Sequence, residues 1–148
     1  MDYEKRAEEL FREGYNCAQA VFLAFACEKM DRDEAARLAS AFGGGLAGTR
    51  NTCGAVSGLA MAYGLLRGYD DPTDKEAQRA EYEAVREMAE EFAQQNGSII
   101  CRELLGLGRD VNYVPPSDRS TEYYKKRPCP KLCACAAGIL AQYLETHP

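Results

Sequence analysis

The sequence predicts an all-α, single-domain bundle of six to seven helices, and three observations carry that expectation. No segment shows the polar–apolar alternation of a half-buried strand. Helix start and stop signals recur, among them Asp31 or Asp33, Thr73 with Glu76, and Pro130 at starts, and Gly43-Gly44-Gly45 and Asn96-Gly97 at ends. The 148 residues carry no repeat at solenoid period and suffice for one core without disulfides.

Each element can be justified in order. Residues 2–13 read as a first helix, with Leu10 and Phe11 apolar among charges, interrupted by Gly14-Tyr15-Asn16. Residues 17–29 form a strongly apolar helix expected at the centre of the core. A third helix, DEAARLASAF, ends at the glycine run. After the loop GGGLAGTRN, with Asn51 and Thr52 as caps, a small-residue helix runs from Cys53 to about Leu66. Thr73 and Glu76 form a capping box for a helix reaching Gln95, whose core stripe is Tyr82, Val85, Ala89 and Phe92. Ser98 starts a short helix, and residues 108–128, with Pro115-Pro116, read as a long loop crossing the bundle. Pro130, at a first helical position, opens the last helix, which runs to about Glu145.

Composition removes several function classes. A net charge of -5 argues against a nucleic-acid surface, and the basic stretch YYKKRPCPK is too short to reverse this; it reads as a solvated loop. The charged start has no apolar h-region, and no apolar run approaches the ~20 residues of a membrane span, so a cytoplasmic protein is expected. The single histidine, His147, excludes HExxH, Cys–His and Ser–His–Asp sites. Chemistry must then come from sulfur, carboxylates, tyrosines or a cofactor. Seven cysteines in a reducing compartment point to metal binding or thiol chemistry rather than to disulfides.

Four of the seven share one situation. Cys17 follows Asn16, Cys53 follows Asn51-Thr52, Cys101 lies in the turn after Asn96-Gly97-Ser98, and Cys129 precedes Pro130 as the cap of the last helix. Each sulfur is thus expected near free N–H groups at the positive end of a helix, where the thiolate is favoured. Cys27 reads as a core residue. Cys133 lies one turn beyond Cys129, while Cys135 points elsewhere.

These residues carry a resemblance. CGAVSG, from Cys53 to Gly58, fits the CGAxxG core of the redox-active family named for its C-GCAxxG-C-C cysteine pattern. GYNCAQAV resembles that family's first cysteine segment, FGGGLAG its glycine turn and CRELLG its third cysteine segment. Cys129 with Ala136-Ala137 resembles its C-terminal helix pattern. The resemblance implies redox activity through four cysteines, and related domains, including one in a split-Soret cytochrome, are associated with an iron–sulfur centre. No C-x-x-C-H haem motif is present, and Cys133 and Cys135 depart from the pattern, leaving the fourth position open among Cys129, Cys133 and Cys135.

The leading expectation is an iron–sulfur cluster, [2Fe–2S] first and [4Fe–4S] second, held by Cys17, Cys53, Cys101 and Cys129, with Cys133 as the alternative fourth ligand. Gly54 and Ala55 would let the backbone approach it, and its work would be electron transfer or redox sensing with a partner protein. Three other readings stand beside it. One is a metal-free thiol–disulfide oxidoreductase with Cys53 attacking and Cys17 or Cys101 resolving; no C-x-x-C pair supports it. The others are a zinc site of four cysteines, and a helical interaction module without chemistry. Whether the protein is an enzyme is left undecided, and small-residue faces allow a homodimer.

Two further features need weighing. Gly43, Gly45 and Gly48 match G-x-G-x-x-G, but no strand precedes them, so a tight turn delivering Cys53 is the better reading. Arg50 reads by default as solvent-exposed, with cluster stabilisation as the other role. Tyr15, Tyr63, Tyr113, Tyr123 and Tyr124 are expected in packing rather than around a cavity.

Overall fold

The computed structural model describes residues 1–107, 119 and 128–148. Among these are seven α-helices: α1 (Tyr3–Arg12), α2 (Cys17–Ala26), α3 (Arg32–Ala39), α4 (Gly54–Arg67), α5 (Lys75–Asn96), α6 (Cys101–Leu104) and α7 (Cys129–Thr146). A short 3₁₀ turn, Ser40–Phe42, extends α3. The described residues contain no strand, only an isolated antiparallel bridge between Thr52 and Ile100. None of the described helices is long and apolar enough to cross a membrane.

The central element is α2. Eight of its ten residues are buried, so it is apolar on nearly every side, as a helix enclosed by others must be. It packs against α1, α3, α4 and α7, most extensively against α4. Asn16 starts it with a full capping box: its side chain accepts from Gln19 N–H at 2.9 Å, and the Gln19 side chain accepts from Asn16 N–H at 3.1 Å. The close fit with α4 depends on Gly58, where a Cβ would stand 2.6 Å from the Ala18 carbonyl oxygen. The remaining core comes from Leu10 and Phe11 of α1, Leu59 of α4, Met88 and Phe92 of α5, and Leu132 and Leu140 of α7. Each such side chain contributes on the order of 1.5–3 kcal/mol by leaving water.

Two expectations are corrected here. The cap of α5 is Asp74, whose carboxylate accepts from Ala77 N–H at 2.9 Å, while the Thr73 hydroxyl donates to Asp71. Asp74 wins because its side chain stands next to the first helical residue, where an ionised acceptor also meets the helix dipole. The buried face of α5 is Ala84, Met88 and Phe92, with Val85 and Ala89 at its margin, whereas Tyr82 is exposed and takes a hydrogen bond from Gln78. The 3.6-residue period fits either face through Phe92, and packing against α7 and α4 selects the one carrying Met88.

The 108–118 and 120–127 segments, including the expected crossing loop, Tyr113, Tyr123 and Tyr124, lie outside the described residues.

Candidate functional site

Four helix starts converge on one cavity of about 420 Å³. Cys17 is the first residue of α2, Cys53 immediately precedes α4, and Cys101 and Cys129 are the first residues of α6 and α7. All four line the cavity, together with Gly43, Gly44, Gly45, Gly48, Gly54, Arg50 and Arg119. Among the described residues, no three Cys, His, Asp or Glu side chains stand close enough to grip a single metal ion as they are placed.

The local sequence explains each position. Asn16 fixes Cys17 through its capping box, and its Nδ2 donates to the Ser40 carbonyl at 3.0 Å, tying the start of α2 to the end of α3. Gly43 makes this possible, because a Cβ there would fall 2.6 Å from the Asn16 side chain. Gly54 brings α4 onto α2, with its Cβ position 3.1 Å from Ala18 N and 3.2 Å from Cys17 Cβ. Cys53 and Cys101 are joined by backbone pairing. Cys53 N–H donates to the Ile99 carbonyl at 2.7 Å, and Cys101 N–H donates to the Asn51 carbonyl at 2.6 Å.

That pairing corrects the expected role of Asn51 and Thr52. Neither caps α4: Cys53 itself is the cap residue, with no side-chain cap bond, and the Asn51 side chain donates to Thr49. At the start of α7 the cap is Pro128, so Cys129 is the first helical residue and Pro130 the second. The cap of α6 is Ile100, and the Ser98 hydroxyl accepts from its N–H at 2.9 Å.

The remaining sulfurs separate. Cys133 is fully buried one turn into α7, its thiol directed at the Cys17 carbonyl at 3.9 Å, and it is not on the cavity wall. Cys135 faces the end of α5, where it contacts Gln95 and Asn96. Cys27, expected in the core, caps the C-terminal end of α2 half-buried and packed against the core. Ala55 is fully buried, and its side chain does not reach the cavity wall; its N–H favours the Cys53 thiolate. Tyr63 packs edge-on against Tyr143 at 5.9 Å, and neither it nor Tyr15 lines the cavity.

Arg50 overturns its default reading. It is 8% exposed, and its Nη1 donates to Cys101 Sγ at 3.7 Å. The turn ahead of it is left-handed at Gly44, Gly45, Leu46, Ala47 and Gly48, and Arg50 itself has φ 63°. For the three non-glycine residues this conformation costs on the order of 1 kcal/mol each, so the surrounding hydrogen bonds must hold it. Arg119 was not singled out from the sequence. Its guanidinium lies 4.0 Å from the Phe11 ring centroid and donates to the Phe11 and Tyr15 carbonyls, the latter at 2.7 Å. No local signal marks it, because its partners lie more than a hundred positions away.

The thiols do not behave as isolated helix-start cysteines. Burial pushes the Cys53 thiol up to about 12; the N–H groups of Ala55 and Val56 pull against this, and Cys101 and Cys129 add to it. Cys17 has a hydrogen bond with Cys129 that favours its thiolate. The bond with Cys133, burial and the neighbouring sulfurs outweigh it, and its pKa is raised well above the ordinary thiol value. The lowering expected at a helix start is represented at Cys53 by the Ala55 and Val56 N–H groups, and burial with the neighbouring sulfurs outweighs it.

The chain matches the family described as "Putative redox-active protein (C_GCAxxG_C_C)" over residues 15–143. It belongs to that family. The match spans all seven cysteines, the four that line the cavity among them. No curated protein and no solved structure matches the chain.

Proposed function

We propose that this C_GCAxxG_C_C protein is a one-electron carrier or redox sensor whose cavity holds an iron–sulfur cluster on Cys17, Cys53, Cys101 and Cys129. The observation that carries the reading is the convergence of these four thiols, from four helix starts, on one cavity that also receives Arg50 and Arg119. Both [2Fe–2S] and [4Fe–4S] centres take four thiolates. The cavity of about 420 Å³ that the four thiols line leaves room for a group of several atoms.

The donor set fits such a group electrostatically. Burial at Cys53, and the Cys133 bond with burial at Cys17, hold these thiols protonated, with the neighbouring sulfurs adding to it, and a cationic iron core would favour their thiolates by replacing the protons. When bound, the cluster supplies a site that accepts and releases one electron. The chain's own residues do the rest. Helix starts and the Ala55 and Val56 N–H groups favour negative sulfur, the two guanidinium groups offset the net anionic charge, and Phe11 and Leu132 keep the wall apolar. Electrons would pass to a partner protein across the cavity mouth.

One observation favours a second reading. Cys17 is in hydrogen-bond contact with both Cys129 and Cys133, a dithiol arrangement suited to disulfide exchange without metal. Against it, an attacking thiol works best with a pKa near ambient pH, and those of Cys17 and Cys53 are raised.

Anaerobic purification with visible spectroscopy and iron and sulfide analysis decides between them. The expected protein is brown, with stoichiometric iron and sulfide that Cys53→Ser removes and Cys135→Ser does not. Failure to bind iron and sulfide even after chemical reconstitution would sink the cluster reading. Zinc in place of both would support the single-ion site, and a metal-free protein with an oxidant-formed Cys17 disulfide the exchange reaction.

A further inference from the structure

We infer that Arg50 sets the reduction potential of this centre, as a buried positioning charge acting on the Cys101 sulfur. The inference rests on the cluster reading above and adds a residue outside the cysteine pattern. Arg50 is 8% exposed, and its Nη1 reaches Cys101 Sγ at 3.7 Å. A neutral thiol is a weak acceptor for a guanidinium, whereas a metal-bound thiolate, which keeps much of its negative charge, is a strong one. Negative charge facing a buried cation stabilises it, and a cluster-bound Cys101 thiolate would supply such charge to Arg50.

The turn is shaped around this side chain. Arg50 N–H donates to the Gly44 carbonyl at 2.8 Å, and its own carbonyl receives Arg102 N–H at 3.0 Å and Arg102 Nε at 3.3 Å. A Cβ on Gly45 would lie 2.7 Å from Arg50 Cα, and one on Gly44 would lie 3.6 Å from Arg50 Nη1. The left-handed backbone at Arg50, disfavoured for a side chain of this size, directs the guanidinium into the cavity wall rather than to solvent. Lysine could not reproduce the planar fork, but it would keep the charge.

Reduction adds one electron and no proton at this position, because a guanidinium stays charged throughout the accessible pH range. A fixed positive charge and an N–H donor on the sulfur both stabilise the reduced, more negative state and so raise the potential. Loss of the charge should shift the reduced-to-oxidised ratio at a given ambient potential at least tenfold, about 59 mV for a one-electron couple.

The test is a potentiometric titration of the iron-loaded full chain, wild type against Arg50→Gln, Arg50→Met and Arg50→Lys, with iron and sulfide content and melting temperature measured for each. The expected result is full cluster content, a potential lowered by at least that amount in the Gln and Met variants, and a smaller shift in Lys. An unchanged potential in a fully loaded neutral variant overturns the proposal, as do equal shifts in Lys and Gln, which would mark packing rather than charge. If neither neutral variant loads while Lys does, the charge serves cluster binding, and the potential-setting role is overturned. A wild type without iron and sulfide overturns the underlying cluster reading, and is recognised before any variant is compared.

Discussion

Gly58 and Gly64 lie on the same helix, and the structure assigns opposite outcomes to the same substitution at each. A Cβ on Gly58 would stand 2.6 Å from the Ala18 carbonyl oxygen, 3.1 Å from Val21 Cβ and 3.2 Å from Ala18 Cα. Real Cβ atoms do not come within 3.0 Å of such atoms, so α2 and α4 would have to part by at least ~0.4 Å at their tightest crossing. Overpacking of that kind costs roughly 1–3 kcal/mol. On Gly64 the nearest atom would be a Glu81 carboxylate oxygen at 3.7 Å, an ordinary contact. Alanine gains ~1 kcal/mol over glycine in a helix interior at both positions, so this term cancels in the comparison. The difference between Gly58→Ala and Gly64→Ala therefore isolates the packing term. At ~2 kcal/mol it separates the two melting temperatures by roughly 4–8 °C for a chain of this size. Thermal and urea unfolding followed by far-ultraviolet circular dichroism measure it, with Gly64→Ala expected above wild type and Gly58→Ala at or below it. A Gly58→Ala protein as stable as Gly64→Ala would refute the close crossing of α2 and α4.

Two more outcomes follow from the geometry. Asp74→Ala should lower stability by about 1 kcal/mol through loss of its bond to Ala77 N–H, while Thr73→Ala should change it by less than about half that, as thermal unfolding will show. The iron-free protein should lose stability as pH rises above ~8.5, because Cys17 and Cys53 hold their protons to higher pH folded than unfolded. Their contribution is complete below the unfolded value and fades as pH climbs toward about 12 for Cys53, so the urea midpoint should be lower at pH 10 than at pH 8. Cys53→Ala should flatten that slope.

The parts of the fold legible in the sequence are those decided locally. The start of α2 follows from Asn16, the end of α5 from a left-handed Gly97, and the helical class from the absence of alternation. The four cysteines were found together because each stands beside a helix start, and helix ends are marked by neighbouring residues. What escaped depends on partners far away in the chain. Arg50 reads as a surface arginine until a turn of left-handed residues turns it toward Cys101, 51 positions on. Asn51 and Thr52 read as caps because the competing pairing with residues 99–101 is invisible in either segment alone. Sequence period alone fits Tyr82 as well as Met88, because only the packing of α5 against α7 and α4 distinguishes the two faces.

The bridge between Thr52 and Ile100 also limits how this chain can vary in length. In a paired ribbon, a slip of one residue turns each side chain to the opposite face. Inserting or deleting one residue within 50–53 or 99–102 would point Cys53 or Cys101 away from its partner, with no adjustment elsewhere to restore it. The residues between Tyr69, whose N–H donates to Glu81, and Asp74, which caps α5, lie outside that pairing and tolerate a change of length better. Relatives that keep the cavity should therefore concentrate their insertions there, and hold the spacing from the glycine turn to Cys53 fixed to the residue.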